Sequence, residues 1–297
     1  MTTPRAHALP ASLRSQSGLR VTKGHGTFND FVLVDDPEGE LALDAQHVAG
    51  LADRRGGLGG DGVIRVVRTR AAGIDAPADA PEWFMDYRNA DGSIAEMCGN
   101  GVRVFAAYLD RAGRAPEGIF PIWTRSGVRT VEILERPGAG GAGAWQVRVG
   151  MGPARIGATP RTLELAGHQL TTTDVDMGNP HAVAILPAEI DLDGIDLEHR
   201  PELAPFPETG VNIEMVSLRG PRHAALRVHE RGVGETLSCG TGTVAAAVVA
   251  ARSVGEEGGA PWRMDVPGGT LTVGWTEDGQ TTLSGPAELI ADVTLLA

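Results

Sequence analysis

Two cysteine-headed turns constrain this 297-residue chain more than any other feature of its sequence. Around Cys98 it reads "IAEMCGNGVRVFAAYLDRAG", and around Cys239 it reads "ETLSCGTGTVAAAVVAARSV". In both, a thiol opens a glycine-rich turn and an apolar, helix-forming run follows at once. The preceding signals also recur in order. Asn29 opens the strand-like "NDFVLVD", and Asn179 stands just before "HAVAILP". A charged turn precedes each cysteine, "YRNADGSIAEMC" in one half and "HERGVGETLSC" in the other. The halves share little identity, so the repeated order is what points to a duplication. It predicts two similar α+β domains with a boundary near residue 150.

Short β-like runs dominate the rest. "GVIRVVRT", "EWFMDYRN", "GVRTVEILE" and "WQVRVGM" lie in the first half, and "VNIEMVSL", "HAALRVHE" and "GTLTVGW" in the second. They show period-two alternation or β-branched enrichment between Gly, Pro, Asn or Asp. Helical patterns are fewer. One covers "DAQHVAGLADR", 44–54, with Asp44 as N-cap and Val48, Leu51 and Ala52 on one face. After Cys98, Val102, Phe105, Ala106 and Leu109 line a face, with Arg103 and Asp110 on the other side. After Cys239, "VAAAVVAA" is apolar all round, as in a helix buried on every face. "PGAGGAGA", 137–144, reads as a flexible hairpin loop. The first 18 residues lack the apolar core of a secretory signal and read as a disordered extension.

The local physics of the two turns suggests their chemistry. Glycines let the backbone turn tightly and approach a ligand. The helix that follows leaves its first N–H groups unpaired, which attracts carboxylates and other anions. A thiol in that field is expected to ionise more easily than an ordinary cysteine. Two such acid/base groups on opposite faces of one carbon suit racemisation: one thiolate removes an α-proton and the opposite thiol returns one. Two buried, inert core cysteines are the alternative, which the shared position in the same turn disfavours.

Composition removes other classes. A net charge of -12 argues against a nucleic-acid or acidic-membrane partner. No run approaches the roughly 20 apolar residues of a membrane helix, so a cytoplasmic location is expected. Two cysteines and eight scattered histidines give no zinc pattern, and no metal is expected. Pyridoxal phosphate would need a Schiff-base lysine. The single lysine, Lys23, lacks a cofactor cradle around it, so a cofactor-free mechanism is expected.

The joint set "KGHGTFNDFVLVD", "GLGGDG", "YRNADGS", "MCGNG", "GNPH", "GVNIE", "HERGVGET" and "SCGTGT" closely resembles the diaminopimelate epimerase family from about residue 19 onward. The resemblance implies two pseudo-symmetric domains, each a curved, mostly antiparallel sheet around a central helix, with the active site in the cleft between them. The N-terminal domain would comprise 19–150 and 285–297, and the C-terminal domain 151–284. It implies an isomerase that converts LL-2,6-diaminopimelate to the meso form without a cofactor, in lysine and peptidoglycan precursor synthesis. By motif, Cys98 and Cys239 would be the acid/base thiols, Cys98 taking the proton from the LL isomer, assisted by His181 and Glu230. The reacting carboxylate would rest on the N–H groups at Gly99–Asn100 and Gly240–Thr241. Asn29, Asn89, Asn179, Asn212, Glu230 and Arg231 would hold the substrate's other groups. A homodimer is implied as well.

Several positions depart from the family pattern. Gly62 replaces a glutamine found in several members, Phe28 takes a place that is often small, and the first 18 residues and the 137–144 loop lack clear counterparts. A proline racemase or hydroxyproline epimerase is the second reading, disfavoured because Asn100 stands where that family usually has histidine. A nucleotide-binding protein is the third. "GLGGDG", 57–62, follows a helical pattern and precedes a strand, the reverse of a dinucleotide fold. "GTGTVA", 240–245, precedes a helix but lacks a βαβ unit.

Overall fold

A computed structural model of the protein describes residues 18–138, 143–256 and 258–296. Almost all of the expected N-terminal extension, and the centre of the 137–144 loop, lie outside the described residues. The chain divides into two compact units, one of residues 1–147 with 286–297 and one of residues 148–285.

In the first unit, β1 (Arg20–Gly26), β2 (Asn29–Asp35), β3 (Gly62–Arg68), β4 (Trp83–Asn89), β5 (Ile119–Thr124) and β6 (Gly127–Glu135) pair in chain order. The pairings alternate: antiparallel, parallel, antiparallel, parallel, antiparallel. Helix α1 (Ala45–Ala52) fills the first parallel crossover and α2 (Gly99–Arg111) the second. Asp44 caps α1 by accepting from the His47 amide at 2.9 Å. The apolar stripe Val48, Leu51 and Ala52 packs with Val21, Val32, Val34 and Val63. The end of β18 (Thr281–Thr294) returns to pair antiparallel with β1, and Leu295 joins the same core.

After β7 (Trp145–Gly152), β8 (Arg155–Ile156) and β9 (Arg161–Leu165), the second unit repeats the pattern. β10 (His168–Asp176), β11 (Pro180–Ile185), β13 (Asn212–Gly220), β14 (His223–Glu230), β16 (Trp262–Val266) and β17 (Gly269–Trp275) pair in the same alternation. Helix α3 (Gly240–Ser253) fills the β14-to-β16 crossover as α2 fills the β4-to-β5 one. Short strands β12 (Glu202–Ala204) and β15 (Gly234–Thr236) add to β9 and β14. A central helix in an alternating sheet thus occurs twice, with three of the five pairings in each ladder antiparallel. The α+β expectation holds in both units.

Registers make the repeat quantitative. In the first unit Phe31 faces Gly62 and Gly62 faces Asn89. In the second His181 faces Asn212, and Asn212 lies one pair beyond the Ile213–His229 pair, beside Glu230. Counting along these ladders equates Asn29 with Asn179, Phe31 with His181, Gly62 with Asn212, Ile64 with Glu214, and Asn89 with Glu230. Each helix begins immediately after its cysteine.

Candidate active site

In the first unit Cys98 is the N-cap of α2, with extended φ −137° and ψ 119°. Its carbonyl accepts the first helical bond, from the Val102 amide at 2.9 Å. Its Sγ–H donates to Asn29 Oδ1 at 3.5 Å, and Asn100 Nδ2 donates to the same oxygen at 3.2 Å. Asn29 is oriented from behind, because its Nδ2 donates to Asp61 Oδ2 at 2.6 Å. Asn29, Cys98 and Asn100 therefore form one group. Asn89 belongs to an adjoining one at the end of β4, accepting from the Tyr87 hydroxyl at 3.2 Å and donating to Ser93 Oγ at 3.0 Å.

The β1–β2 hairpin aims Asn29. Gly26 and Asn29 face each other, leaving a two-residue turn at Thr27 and Phe28. Both have left-handed φ, 51° and 59°, as such a turn requires, though neither is the glycine or asparagine that tolerates it well. Phe28 is 62% exposed and stacks on His25.

In the second unit Cys239 is the N-cap of α3, with φ −117° and ψ 114°. The Thr243 amide and hydroxyl both donate to the Cys239 carbonyl, at 2.8 and 2.7 Å. Thr241 Oγ1 lies 3.6 Å from the sulfur. Asn179 Nδ2 donates to that hydroxyl at 3.3 Å, and Asn179 Oδ1 lies 3.1 Å from His181 Nε2. His181 Nδ1 lies 2.6 Å from Glu214 Oε1, and both side chains are wholly buried. A continuous chain of polar contacts thus runs from Glu214 through His181, Asn179 and Thr241 to the sulfur. Glu230 accepts from the Thr236 hydroxyl and from Cys239. Asn212 Oδ1 accepts from the Arg231 amide at 2.9 Å, while Arg231 itself is exposed and reaches the Thr209 carbonyl.

Burial and charge set the titration of this second group. The Cys239 thiol is pushed well above its ordinary value, first by burial and then by the negative fields of Glu230 and Glu214. Bonds from the Gly242 amide and Thr241 oppose this without overcoming it. The expectation that both turns make their thiols more acidic therefore fails at Cys239: desolvation outweighs the helix N-terminus. The Glu230 carboxyl is likewise raised, chiefly by burial. The Cys239 thiol is therefore held in its protonated form.

Comparison with known proteins follows the same lines. The diaminopimelate epimerase family profile matches residues 21–157 and 173–290. A diaminopimelate epimerase of Streptomyces coelicolor is 50% identical over 282 residues, covering 91% of this chain and 93% of that one. One from Thermobifida fusca is 49% identical, covering 92% and 97%. The chain belongs to the diaminopimelate epimerase family. Among solved structures, a Bacillus anthracis phenazine biosynthesis protein of the PhzF family shares the fold with TM-score 0.66 and 14% identity, covering 94% of this chain and 99% of that one. A hydroxyproline epimerase of Agrobacterium vitis does so with TM-score 0.60 and 15% identity, covering 96% and 94%.

Seen as an epimerase-family chain, three residues gain weight that sequence reading did not give them. Asp61 orients Asn29; it stood inside "GLGGDG" as a loop residue. Glu214 stood inside "GVNIE" on a strand buried on both faces, where alternation carries no signal. Arg103, placed by helical periodicity on the polar side of α2, is instead fully buried. The departure at Gly62 also has a physical content. A Cβ there would stand 2.5 Å from the Arg88 carbonyl and 2.6 Å from the Tyr87 ring. Tyr87 fills the space over Gly62 and brings its hydroxyl to Asn89. Lys23 is held by Asp30 Oδ2 at 2.6 Å and by the Gly59 carbonyl.

Proposed function

We propose that the protein is a diaminopimelate epimerase, an isomerase that interconverts LL- and meso-2,6-diaminopimelate by two-thiol acid/base catalysis. The observation that carries the mechanism is the pair of helix N-caps: a cysteine at the same position of a repeated unit, linked to Asn29 directly in the first and to Asn179 through the Thr241 hydroxyl in the second. The family's curated relatives carry the name of the activity. Cys98, as thiolate, removes the α-proton of the LL isomer, and Cys239, whose thiol is held protonated, delivers a proton to the opposite face. One C–H bond breaks and another forms, and the thiols exchange protonation states until solvent resets them.

The α-carbanion needs stabilisation. The N–H groups at Gly99–Asn100 and Gly240–Thr241 supply it at the reacting carboxylate, with one such donor worth roughly 3–4 kcal/mol. Asn29, Asn89, Asn179 and Asn212 present amides to the substrate's polar groups. Glu230 suits an ammonium and the exposed Arg231 fork a carboxylate. His181 acts through Asn179 and Thr241 on the Cys239 side. A Schiff-base route would require the Lys23 amine, which Asp30 engages. Homodimeric assembly, a cytoplasmic location and a place in lysine and peptidoglycan precursor synthesis are part of the same proposal. No helix among the described residues is long and apolar enough to cross a membrane.

The test is incubation of reduced protein with LL-diaminopimelate in D₂O, followed by NMR and mass spectrometry, with Cys98→Ala, Cys239→Ala and proline as controls. Deuterium at one α-carbon, meso product and loss of turnover in both variants are expected. Exchange into proline but not diaminopimelate would move the chain to the racemase side of the fold.

A further inference from the structure

Among the described residues, no carboxylate bonds the guanidinium of Arg103. It is fully buried, five residues after Cys98 on α2. Helix side chains lean toward the N-terminus, so it reaches back toward the cysteine turn. Its Nη2 donates to Thr27 Oγ1 at 3.1 Å and its Nε to the Pro286 carbonyl at 3.2 Å. Nη1 meets no partner among the described residues. Gly26 makes the room, since a Cβ there would stand 3.0 Å from Nη2. A buried cation facing only neutral acceptors is costly and calls for a counter-charge.

Among the described residues, Arg20 and Glu135 at the strand ends are exposed, and the buried and half-buried charges of the strands packed against α2 are engaged elsewhere. Lys23 of β1 and Asp30 of β2 pair with each other, and Arg54 joins Asp30 to Asp61. His25 of β1 lies 3.9 Å from Glu288, and Asp35 of β2 is held by Arg114. On β3, Arg65 pairs with Asp36, and Arg68 with Glu38 and Glu82. On β4, Asp86 takes Arg88 and Arg125. On β6, Arg129 donates to the Val128 carbonyl, and Glu132 has a partner of its own. What remains for Arg103 is Cys98. Burial draws the guanidinium down to about 10, and the Cys98 sulfur is the group that pulls it back up.

The second unit provides an internal contrast. Five residues after Cys239 stands Val244, wholly buried and apolar. The charge beneath that turn is instead Glu214, whose Oε1 would lie 2.6 Å from a Cβ on Gly242. In the first unit the equivalent positions are Phe31 and Ile64, whose atoms lie beneath Gly101. A cation underlies one thiol and an anion the other.

We infer that Arg103 is a positioning residue that makes Cys98 the more acidic of the two thiols: the thiolate is its counter-charge, and through Thr27 it holds the turn that presents Asn29 to the sulfur. In the thiol form Cys98 donates to Asn29, and Arg103 acts on the ionised form. The assignment of direction to the reaction rests on the two-thiol reading above; the difference in acidity does not.

The test is alkylation by iodoacetamide across pH, read separately for the two cysteine peptides by mass spectrometry, in wild type, Arg103→Met and Arg103→Lys. In wild type the Cys98 midpoint lies below that of Cys239. Arg103→Met raises the Cys98 midpoint by about one pH unit or more, and so slows its alkylation about tenfold at neutral pH. The Cys239 midpoint stays in place, and Arg103→Lys recovers most of the Cys98 shift. An unchanged Cys98 midpoint in a folded Arg103→Met protein would overturn the inference. So would a wild-type Cys98 that titrates at or above Cys239, which needs no variant and stands even where Arg103→Met fails to fold. Failure of the epimerase reading shows separately, as absent deuterium exchange with the alkylation profile intact.

Discussion

At the residue scale, burial does most to keep the second thiol protonated, and the carboxylates that add to it can be removed one at a time. Burial raises both Cys239 and Glu230, and each carboxylate nearby adds to the cost of a thiolate. Glu230→Gln keeps the size and the Thr236 contact but removes one negative field. The Cys239 midpoint is then expected to fall by about one pH unit. Epimerisation is expected to fall by roughly 10²–10⁴-fold, the span of a lost acid/base partner. Peptide-resolved alkylation across pH and initial rates measure the two effects. A Cys239 midpoint that does not move would show that burial alone sets it. The sign for stability follows from the same group. Glu230 carries a folded-state pKa above its unfolded value, so the folded protein holds an extra proton between the two. Its contribution is present below the unfolded value and is lost as pH rises toward the folded one. In Glu230→Gln that part of the pH dependence of thermal unfolding disappears.

At the scale of elements, the two helix starts look alike in sequence and differ in what lies beneath them. Gly101 and Gly242 occupy the same place after each cysteine. A Cβ at Gly101 would meet Ile64 at 3.3 Å, a contact that a small shift relieves. A Cβ at Gly242 would meet Glu214 Oε1 at 2.6 Å, and that oxygen is held by His181. Gly242→Ala is therefore expected to cost about 1–3 kcal/mol by overpacking. Gly101→Ala is expected to stay within about 1 kcal/mol of wild type, because helix propensity repays part of the strain. Denaturant melts of the two variants decide the point, and equal losses would remove the asymmetry. The contrast also marks what sequence could reveal. Strands such as "NDFVLVD" and "HAALRVHE" were readable because apolar alternation and turn residues are local. The start of each helix was readable because a glycine turn gives way to an apolar run. The burial of Arg103 was not, since a helical wheel places any arginine outward unless the partner strand leaves room. That room comes from Gly26, which only the β1–β2 register brings beneath it. Glu214 was hidden by the opposite circumstance: on a strand buried on both faces every position reads as core, and His181, on the neighbouring buried strand, was named only through the "GNPH" motif.

At the scale of the whole molecule, the last strand matters more than its place at the end of the chain suggests. Residues 281–284 of β18 pair with β17, and residues 288–294 pair with β1. Leu295 then closes the core around Val21, Val32 and Val34, where a buried leucine is worth roughly 2 kcal/mol. The Pro286 carbonyl also receives the Arg103 guanidinium. Ending the chain at Gly285 removes the outer partner of β1, a core residue and a ligand of the buried cation together. Hydrogen exchange resolved by peptide is expected to lose protection first across β1 and the Thr27–Phe28 turn. Strands β11 and β13, whose ladders lie within the second unit, keep theirs. Epimerisation is expected to vanish even though Cys239 and its polar chain remain folded, because the proposed two-thiol mechanism fails when either cysteine turn is lost. Retained protection across β1 would mean that α2 and its buried arginine hold the first hairpin without the returning strand.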